Sequence, residues 1–289
     1  MTFWKKWIAG ARPRTLPAAI APVLVGTALI RRDHHSINYV NAILALAVSL
    51  LLQIAVNYSN DYSDGIRGTD SNRVGPIRLV ASGLASARAV KTAAILCFAN
   101  AAVFGLILAV RVSLWLVLVG GLSIIAAWTY TGGKRPYGYL GFGEISVFLF
   151  FGLVATVGSY AVQSHKITWQ SILVSRPVGA LSCAILAVNN LRDLPKDSIV
   201  GKRTLAVRLG DLRARQLFIG LLALAHLAAL FAAFISPWTL ITLIFLPVTL
   251  KIVQAIRAGA KGMELIPMLG QVGKLQLLLS TSLALALLV

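Results

Sequence analysis

Long apolar runs, separated by short polar loops, recur along the whole chain. Each run is long enough to cross, or nearly cross, the roughly 30 Å of hydrocarbon in a bilayer. The pattern predicts nine membrane-spanning helices, at residues 16–31, 40–57, 91–110, 113–131, 141–162, 169–189, 215–235, 237–256 and 270–289. Charged residues make up only 12% of the chain, well below the usage of a soluble domain, so lipid is the solvent for most of it. We therefore expect an all-α integral membrane protein with a single domain over residues 1–289.

Basic residues are unevenly divided between the two sides of the predicted bundle. With the N-terminus in the cytoplasm, 22 of the 27 lysines and arginines fall in cytoplasmic segments. Because cytoplasmic loops are enriched in lysine and arginine, this division predicts a cytoplasmic N-terminus and an outer C-terminus. The net charge of +18 suits anionic lipid head groups and an anionic substrate. Short loops between spans are a poor nucleic-acid surface, so no nucleic-acid partner is expected.

Acidic residues cluster in two motifs on the predicted cytoplasmic side. Five of the nine acids lie in VNYSNDYSDGIRGTD, residues 56–70, and VNNLRDLPKDSIVGKRTL, residues 188–205. Each motif begins with Val-Asn and carries an aspartate four residues after that asparagine. The matching pattern indicates a possible four-helix pseudo-repeat.

The spacing within both motifs predicts groups of oxygen ligands. If each helix continues through its motif, side chains four residues apart share a face. These pairs are Asn57 and Asp61, Asn60 and Asp64, and Asp193 and Asp197. Oxygen ligands without histidine or cysteine favour Mg²⁺ over zinc, and a cation would relieve the repulsion between carboxylates. The alternative is a pair of ordinary juxtamembrane loops whose acids cap helices or pair with arginines.

Basic residues flank both motifs and favour a diphosphate as the ligand. Lysine and arginine can neutralise the phosphate oxygens that metal ions leave over. The candidate diphosphate contacts are Arg67, Arg73, Arg78, Lys202 and Arg203, together with the amides of Asn57 and Asn189.

At these residues the chain resembles the UbiA-type membrane prenyltransferases. The family's first motif, Asn-Asp-x2-Asp with a further aspartate, and its second, Asp-x3-Asp, both have counterparts here. The resemblance implies a nine-helix bundle around a central cavity that opens sideways to the bilayer, with two Mg²⁺ ions. It implies that the metal ligands are Asn60, Asp61, Asp64, Asp70, Asp193 and Asp197. Asp70 lies six residues beyond Asp64, whereas four is the commonest family spacing.

Three further stretches resemble one branch of that family. They are ARPRTLPAAIAPVLVGTAL (11–29), RVGPIRLVASG (73–83) and YTGGKRPYGYLGFGE (130–144). The branch transfers a polyprenyl group from its diphosphate to 1,4-dihydroxy-2-naphthoate, with loss of carbon dioxide and diphosphate, and yields demethylmenaquinol for menaquinone synthesis. The resemblance implies a multi-pass protein of the bacterial plasma membrane whose active site faces the cytoplasm.

Candidate residues for catalysis and acceptor binding follow from this chemistry. The catalytic candidates are Asp64, Asp193, Asp197 and Glu144. Glu144 could orient or deprotonate an acceptor hydroxyl, or could be an acid at a helix N-terminus. The acceptor-binding candidates are Arg12, Arg14, Tyr130, Lys134, Arg135 and Tyr139. The two tyrosines could instead belong to the interfacial aromatic belt.

Two other functions remain open from the sequence. Within the family, the acceptor could be 4-hydroxybenzoate or a tetrapyrrole. A membrane transporter is the alternative from another class, because many helices with polar groups in the membrane suit it. Transporters usually place ionisable residues near the bilayer midplane, whereas these acids lie at the ends of spans.

Overall fold

The structure, a computed structural model, describes residues 1–69 and 75–289, and these residues form helices joined by loops, with no strand among them. The helices are α1 Phe3–Ala11, α2 Pro17–Arg32, α3 Tyr39–Ile66, α4 Ala87–Arg111, α5 Trp115–Thr129, α6 Gly143–Ser164, α7 Trp169–Ile199, α8 Leu205–Phe231, α9 Pro237–Arg257 and α10 Leu265–Leu288. Seven of the described helices are long and apolar enough to cross a membrane. An eighth span results if the first two helical segments, bent by 54°, count as one, and α5 is a shorter apolar helix.

Helices α3 and α7 extend far beyond the apolar runs that predict them. The run at 40–57 becomes α3, which continues to Ile66, and the run at 169–189 becomes α7, which continues to Ile199. Each helix therefore continues through the paired residues of its motif, as far as Asp64 in α3 and Asp197 in α7, and ends before the last residues of the motif. The seventh run differs at its start, because α8 begins at Leu205, ten residues early, and is interrupted at Gly210, whose φ is 75°.

The bundle core lies where α2, α7, α8 and α10 pack together. Small residues allow close helix contacts at specific points. A Cβ atom on Gly152 of α6 would lie 2.7 Å from Gly179 Cα of α7, so only glycine permits this approach. Residues 148–154 of α6, which include Gly152, form a π-helical segment.

A cavity of about 340 Å³ lies among α3, α4, α5, α6 and α7. Its two ends differ in chemistry. The end that contains Asp64 and Asp193 is polar, and we call it the motif end. The other end lies near the start of α3, where the Asn41 side chain donates to the Val162 carbonyl at 2.7 Å, and we call it the far end.

Candidate functional site

The first motif lies against the loop that follows it, and Asp61 makes this contact. Both oxygens of the Asp61 carboxylate accept backbone N–H groups, from Leu79 at 2.7 Å and from Val80 at 3.0 Å. Leu79 is itself fully buried and packs against Tyr58. The carboxylate of Asp61 is thus directed at the loop, away from the cavity lining, and it orients the segment that carries Arg78.

Asp64 lies on the cavity face of the same helix and is surrounded by donors. Lys202 Nζ is 2.9 Å from Asp64 Oδ1, and Arg78 Nη2 is 3.4 Å from Asp64 Oδ2. The Tyr139 hydroxyl donates to the Asp64 carboxylate. Because Lys202 lies near the end of the second motif, its ion pair with Asp64 joins the two motifs at one point.

The loop between α5 and α6 connects the two motifs. The Thr131 hydroxyl donates to Asn60 Oδ1 at 2.7 Å, and Arg67 donates to the carbonyls of Thr131 and Gly133. At the other end of the loop, the Tyr139 carbonyl accepts the N–H of Arg203 at 2.9 Å.

Two tyrosines of this loop remain protonated donors. Burial, followed by the negative charge of Asp64, raises the pKa of Tyr139 well above its ordinary value. Burial and the charge of Glu144 raise the pKa of Tyr130 in the same direction. Both phenols therefore stay neutral near physiological pH. The Tyr139 proton is donated to Asp64, so Tyr130 is the phenol that can donate a hydrogen bond to a ligand oxygen.

The second motif contributes a line of polar side chains from α7. Asp193 and the buried Asp197 both line the cavity, and Asp193 accepts two hydrogen bonds of 2.7 Å from the guanidinium of Arg192. Asn190 also lines the cavity, and its Nδ2 donates to Glu144 Oε1 at 2.9 Å. Since that amide nitrogen is engaged, the remaining Asn190 oxygen is the acceptor atom available to a ligand.

Lys196 is a site residue that the sequence reasoning missed. It lies between the two aspartates of the second motif and lines the cavity. Its Nζ is buried and has no hydrogen-bond partner in the described part of the chain. A buried ammonium group without a partner is unfavourable, so this position favours an anionic ligand. Its place inside the acidic motif was the available signal.

The structure brings eleven of the predicted residues to the cavity. They are Arg12, Asn57, Asn60, Asp64, Arg78, Tyr130, Tyr139, Asn189, Asp193, Asp197 and Lys202. Seven others do not line it, namely Arg14, Asp61, Arg67, Lys134, Arg135, Glu144 and Arg203. Predicted residues Asp70 and Arg73 lie outside the described residues.

Each of those seven has a visible reason for its position. Asp61 holds the loop at Leu79, and Arg67 holds the loop at Thr131. Glu144 is buried behind Asn190. The four other side chains, of Arg14, Lys134, Arg135 and Arg203, are exposed on the surface.

The cavity as a whole suits an amphiphile with an anionic head. Four basic residues, Arg12, Arg78, Lys196 and Lys202, line the motif end together with three aspartates. The remainder is walled by apolar side chains such as Leu52, Leu116 and Phe150. The fold and the site therefore define a helical membrane protein that can bind a charged head group and an apolar tail in one continuous space.

Comparison with known proteins gives the family. The UbiA prenyltransferase family model matches residues 19–262. A 1,4-dihydroxy-2-naphthoate octaprenyltransferase of Mycobacterium tuberculosis is 49% identical over 94% of this chain and 93% of its own. An enzyme of the same name from Escherichia coli is 39% identical over 91% of this chain and 88% of its own. The chain belongs to the UbiA prenyltransferase family.

Solved structures show the same fold. A UbiA homologue from Archaeoglobus fulgidus, bound to DMAPP and Mg²⁺, aligns with a TM-score of 0.70 at 16% identity and covers 98% of this chain and 99% of its own. The apo structure of a homologue from Aeropyrum pernix aligns with a TM-score of 0.68 at 14% identity, over 92% of this chain and 96% of its own. At these identities the likeness concerns the fold.

Proposed function

We propose that this protein transfers a polyprenyl group from an allylic polyprenyl diphosphate to 1,4-dihydroxy-2-naphthoate, with loss of carbon dioxide and diphosphate. The product is demethylmenaquinol, an intermediate of menaquinone synthesis. The observation that carries the proposal is the Lys202–Asp64 ion pair of 2.9 Å, which joins the two acidic motifs at the polar end of an otherwise apolar cavity. Relatives of that name at 49% and 39% identity, aligned over nearly the whole chain, support the choice of acceptor.

The side-chain oxygen atoms at the motif end are suitable ligands for Mg²⁺. Among the described residues no three His, Cys, Asp or Glu side chains come together as one metal cluster. Each motif instead offers a partial set of oxygen ligands, which suits an ion that binds one or two carboxylates and completes its shell with phosphate oxygens and water. We assign Asn60 and Asp64 to one Mg²⁺ and Asp193 and Asp197 to a second. Asp70 remains a predicted ligand, whereas Asp61 is assigned to holding the loop.

Metal ions bound there would neutralise the charge that builds up on the departing diphosphate. The basic side chains of the motif end would neutralise the charge on those diphosphate oxygens that no metal ion contacts. Arg78 and Lys202 already contact Asp64, and Lys196 adds a buried ammonium between the second pair of aspartates. These fixed charges stabilise the leaving group without rearrangement at the moment of bond cleavage.

The apolar part of the cavity binds the tail and protects the reacting carbon. The bond between the prenyl C1 and the diphosphate oxygen breaks, and the electron pair leaves with the diphosphate. The allylic cation needs walls without nucleophiles, which Phe150, Phe151 and Val154 supply. The ring carbon that carries the carboxylate then forms the new bond to C1. The bond from that carbon to the carboxylate breaks, carbon dioxide leaves, and the electron pair of the broken bond restores the aromatic ring.

The acceptor is held by residues on the rim of the motif end. Arg12 is the predicted carboxylate-binding residue that lines the cavity, so we assign the acceptor carboxylate to it. Tyr130 is a neutral donor for an acceptor oxygen. Glu144 acts on the acceptor through Asn190, whose amide it orients at 2.9 Å.

We further propose nine spans with a cytoplasmic N-terminus and an outer C-terminus, in the bacterial plasma membrane. The bent pair α1 and α2 and the shorter α5 supply the two spans beyond the seven long helices. The 22 basic residues on one side support this orientation, which places the motif end at the cytoplasm.

Turnover by the purified protein tests the proposal. The protein is incorporated into lipid with Mg²⁺, a polyprenyl diphosphate and, in separate reactions, 1,4-dihydroxy-2-naphthoate, 4-hydroxybenzoate or a tetrapyrrole. We expect the prenylated quinol and released diphosphate with the naphthoate. Turnover of another acceptor in its place would reassign the branch. The absence of product and diphosphate with every acceptor would contradict the enzyme function and favour a transporter.

A further inference from the structure

Three glycines line the apolar part of the cavity, each on a different helix. They are Gly105 on α4, Gly120 on α5 and Gly158 on α6. A Cβ atom built on any of them meets no atom within 4 Å. Helix packing therefore does not account for them, in contrast to Gly152, where a Cβ atom would lie 2.7 Å from the facing helix.

Helix stability does not explain the presence of glycine at these three positions either. Apart from proline, it is the residue least favourable to a helix interior. At these three positions the structural consequence of the missing side chain is open space inside the cavity.

The three positions lie well beyond the motif end. Thr131 marks the motif end, because its hydroxyl contacts Asn60. Gly120 lies eleven residues before Thr131, and this separation corresponds to roughly 16 Å along a helix. Lys91 marks the same end on α4, because its ammonium lies over the ring of Tyr62 in the first motif. Gly105 lies fourteen residues beyond Lys91, which is roughly 21 Å along α4.

Gly158 also lies toward the far end. It is one turn before Val162, whose carbonyl accepts from Asn41 near the start of α3. A donor whose head group is at Asp64 would thus reach these glycines only with the later units of its tail.

We propose that Gly105, Gly120 and Gly158 set the length of the prenyl tail that the cavity accepts. The proposal rests on the proposed function, because it assumes that the diphosphate binds at the motif end. A short tail, such as that of geranyl diphosphate, ends before the glycines and makes no contact with them. An octaprenyl tail has to pass them, so side chains at these positions would obstruct long donors selectively.

The test compares Gly120→Leu and Gly158→Leu with the wild-type protein. Values of kcat/KM are measured for octaprenyl and geranyl diphosphate with the same acceptor. We expect the ratio of octaprenyl to geranyl activity to fall by about tenfold or more in each variant, the range that hydrophobic pockets achieve in discriminating size. Activity with geranyl diphosphate should be unchanged. Gly120→Ala provides a smaller change in case the leucine variant does not fold, and should shift the ratio in the same direction.

Gly121→Leu is a matched control. Gly121 is adjacent to Gly120 on the same helix and its Cβ position is equally open, but it does not line the cavity. Its substitution should leave the ratio unchanged. An unchanged ratio in the Gly120 and Gly158 variants, or an equal fall in the Gly121 variant, would overturn the proposal.

Binding of the two diphosphates, measured without acceptor, separates this proposal from the proposed function. If the wild-type protein binds both donors but transfers neither, the proposed function fails. The ratio of the affinities for octaprenyl and geranyl diphosphate then still tests whether the glycines set the tail length. A loss of long-donor affinity in the Gly120 and Gly158 variants supports the proposal, and equal affinities in all variants contradict it.

Discussion

The ammonium of Lys202 lies 2.9 Å from the carboxylate of Asp64, although 138 residues separate them in sequence. Both side chains are buried at the motif end of the cavity. The contact joins the first acidic motif, at the end of α3, to the last residues of the second motif, just beyond the end of α7. It also brings a cation and a carboxylate to the same point, which is what the recognition of a metal-bound diphosphate requires.

Replacing Lys202 by methionine should weaken donor binding. A hydrogen bond to a charged group contributes about 1.5–3 kcal/mol, so the KM for the polyprenyl diphosphate should rise about tenfold or more. Steady-state kinetics at saturating acceptor measure this value. Arg203→Met is the matched control, because Arg203 is adjacent but exposed and does not line the cavity. Equal effects of the two substitutions would contradict a specific role for Lys202.

Asp61 should contribute to stability and not to metal binding. Asp61→Ala leaves the N–H groups of Leu79 and Val80 without their acceptor, at about 1–3 kcal/mol for each buried donor. For a chain of this size we expect the melting temperature to fall by roughly 4 °C or more. The Mg²⁺ concentration that supports half-maximal donor binding should be the same as in the wild-type protein. A raised Mg²⁺ requirement without a change in melting temperature would instead make Asp61 a metal ligand.

Arg12 should bind the acceptor carboxylate. Arg12→Met is expected to raise the KM for 1,4-dihydroxy-2-naphthoate by about tenfold, while the KM for the donor stays the same. Arg14→Met, two residues away on the exposed surface, should change neither value. If Arg12→Met instead raises only the donor KM, the residue belongs to the diphosphate site.

Glu144 should act through Asn190. Glu144→Gln replaces the charged acceptor of the Asn190 amide, and we expect kcat to fall about tenfold while the donor KM is unchanged. Asn190→Ala should lower kcat to a similar extent. Because the two side chains form one unit, the double variant should be little worse than Asn190→Ala alone. Fully additive losses would show that Glu144 contacts the acceptor independently.

The helices and the polar faces of both motifs were predictable from the sequence. Long apolar runs mark α3 and α7. The spacing of four residues between Asn60 and Asp64 predicts their shared face, which lines the cavity. Asp61 and Asn57 are also four residues apart, but only Asn57 of this pair lines the cavity. Spacing alone therefore does not tell which partner a side chain contacts. The loop at Leu79 and Val80 decides that Asp61 is directed away from the cavity.

The rest of the site depends on contacts between distant segments. Tyr139 reaches Asp64 across 75 residues, and Lys202 reaches it across 138. Such contacts follow from how the loops pack on the ends of the helices, which local patterns do not encode. The exposed positions of Lys134 and Arg135, both predicted to bind the acceptor, have the same origin, because the loop directs Tyr130 and Tyr139 to the cavity in their place.

Equilibrium binding of a polyprenyl diphosphate, titrated with and without Mg²⁺, tests most directly whether the two motifs jointly hold the metal-bound diphosphate. Wild-type protein, Asp64→Asn and Asp193→Asn are compared in the same lipid. We predict that Mg²⁺ strengthens binding to the wild-type protein and that either substitution, one in each motif, removes most of this increase. If both variants retain the full Mg²⁺-dependent increase, the acidic motifs do not hold the metal ions and the central claim is wrong.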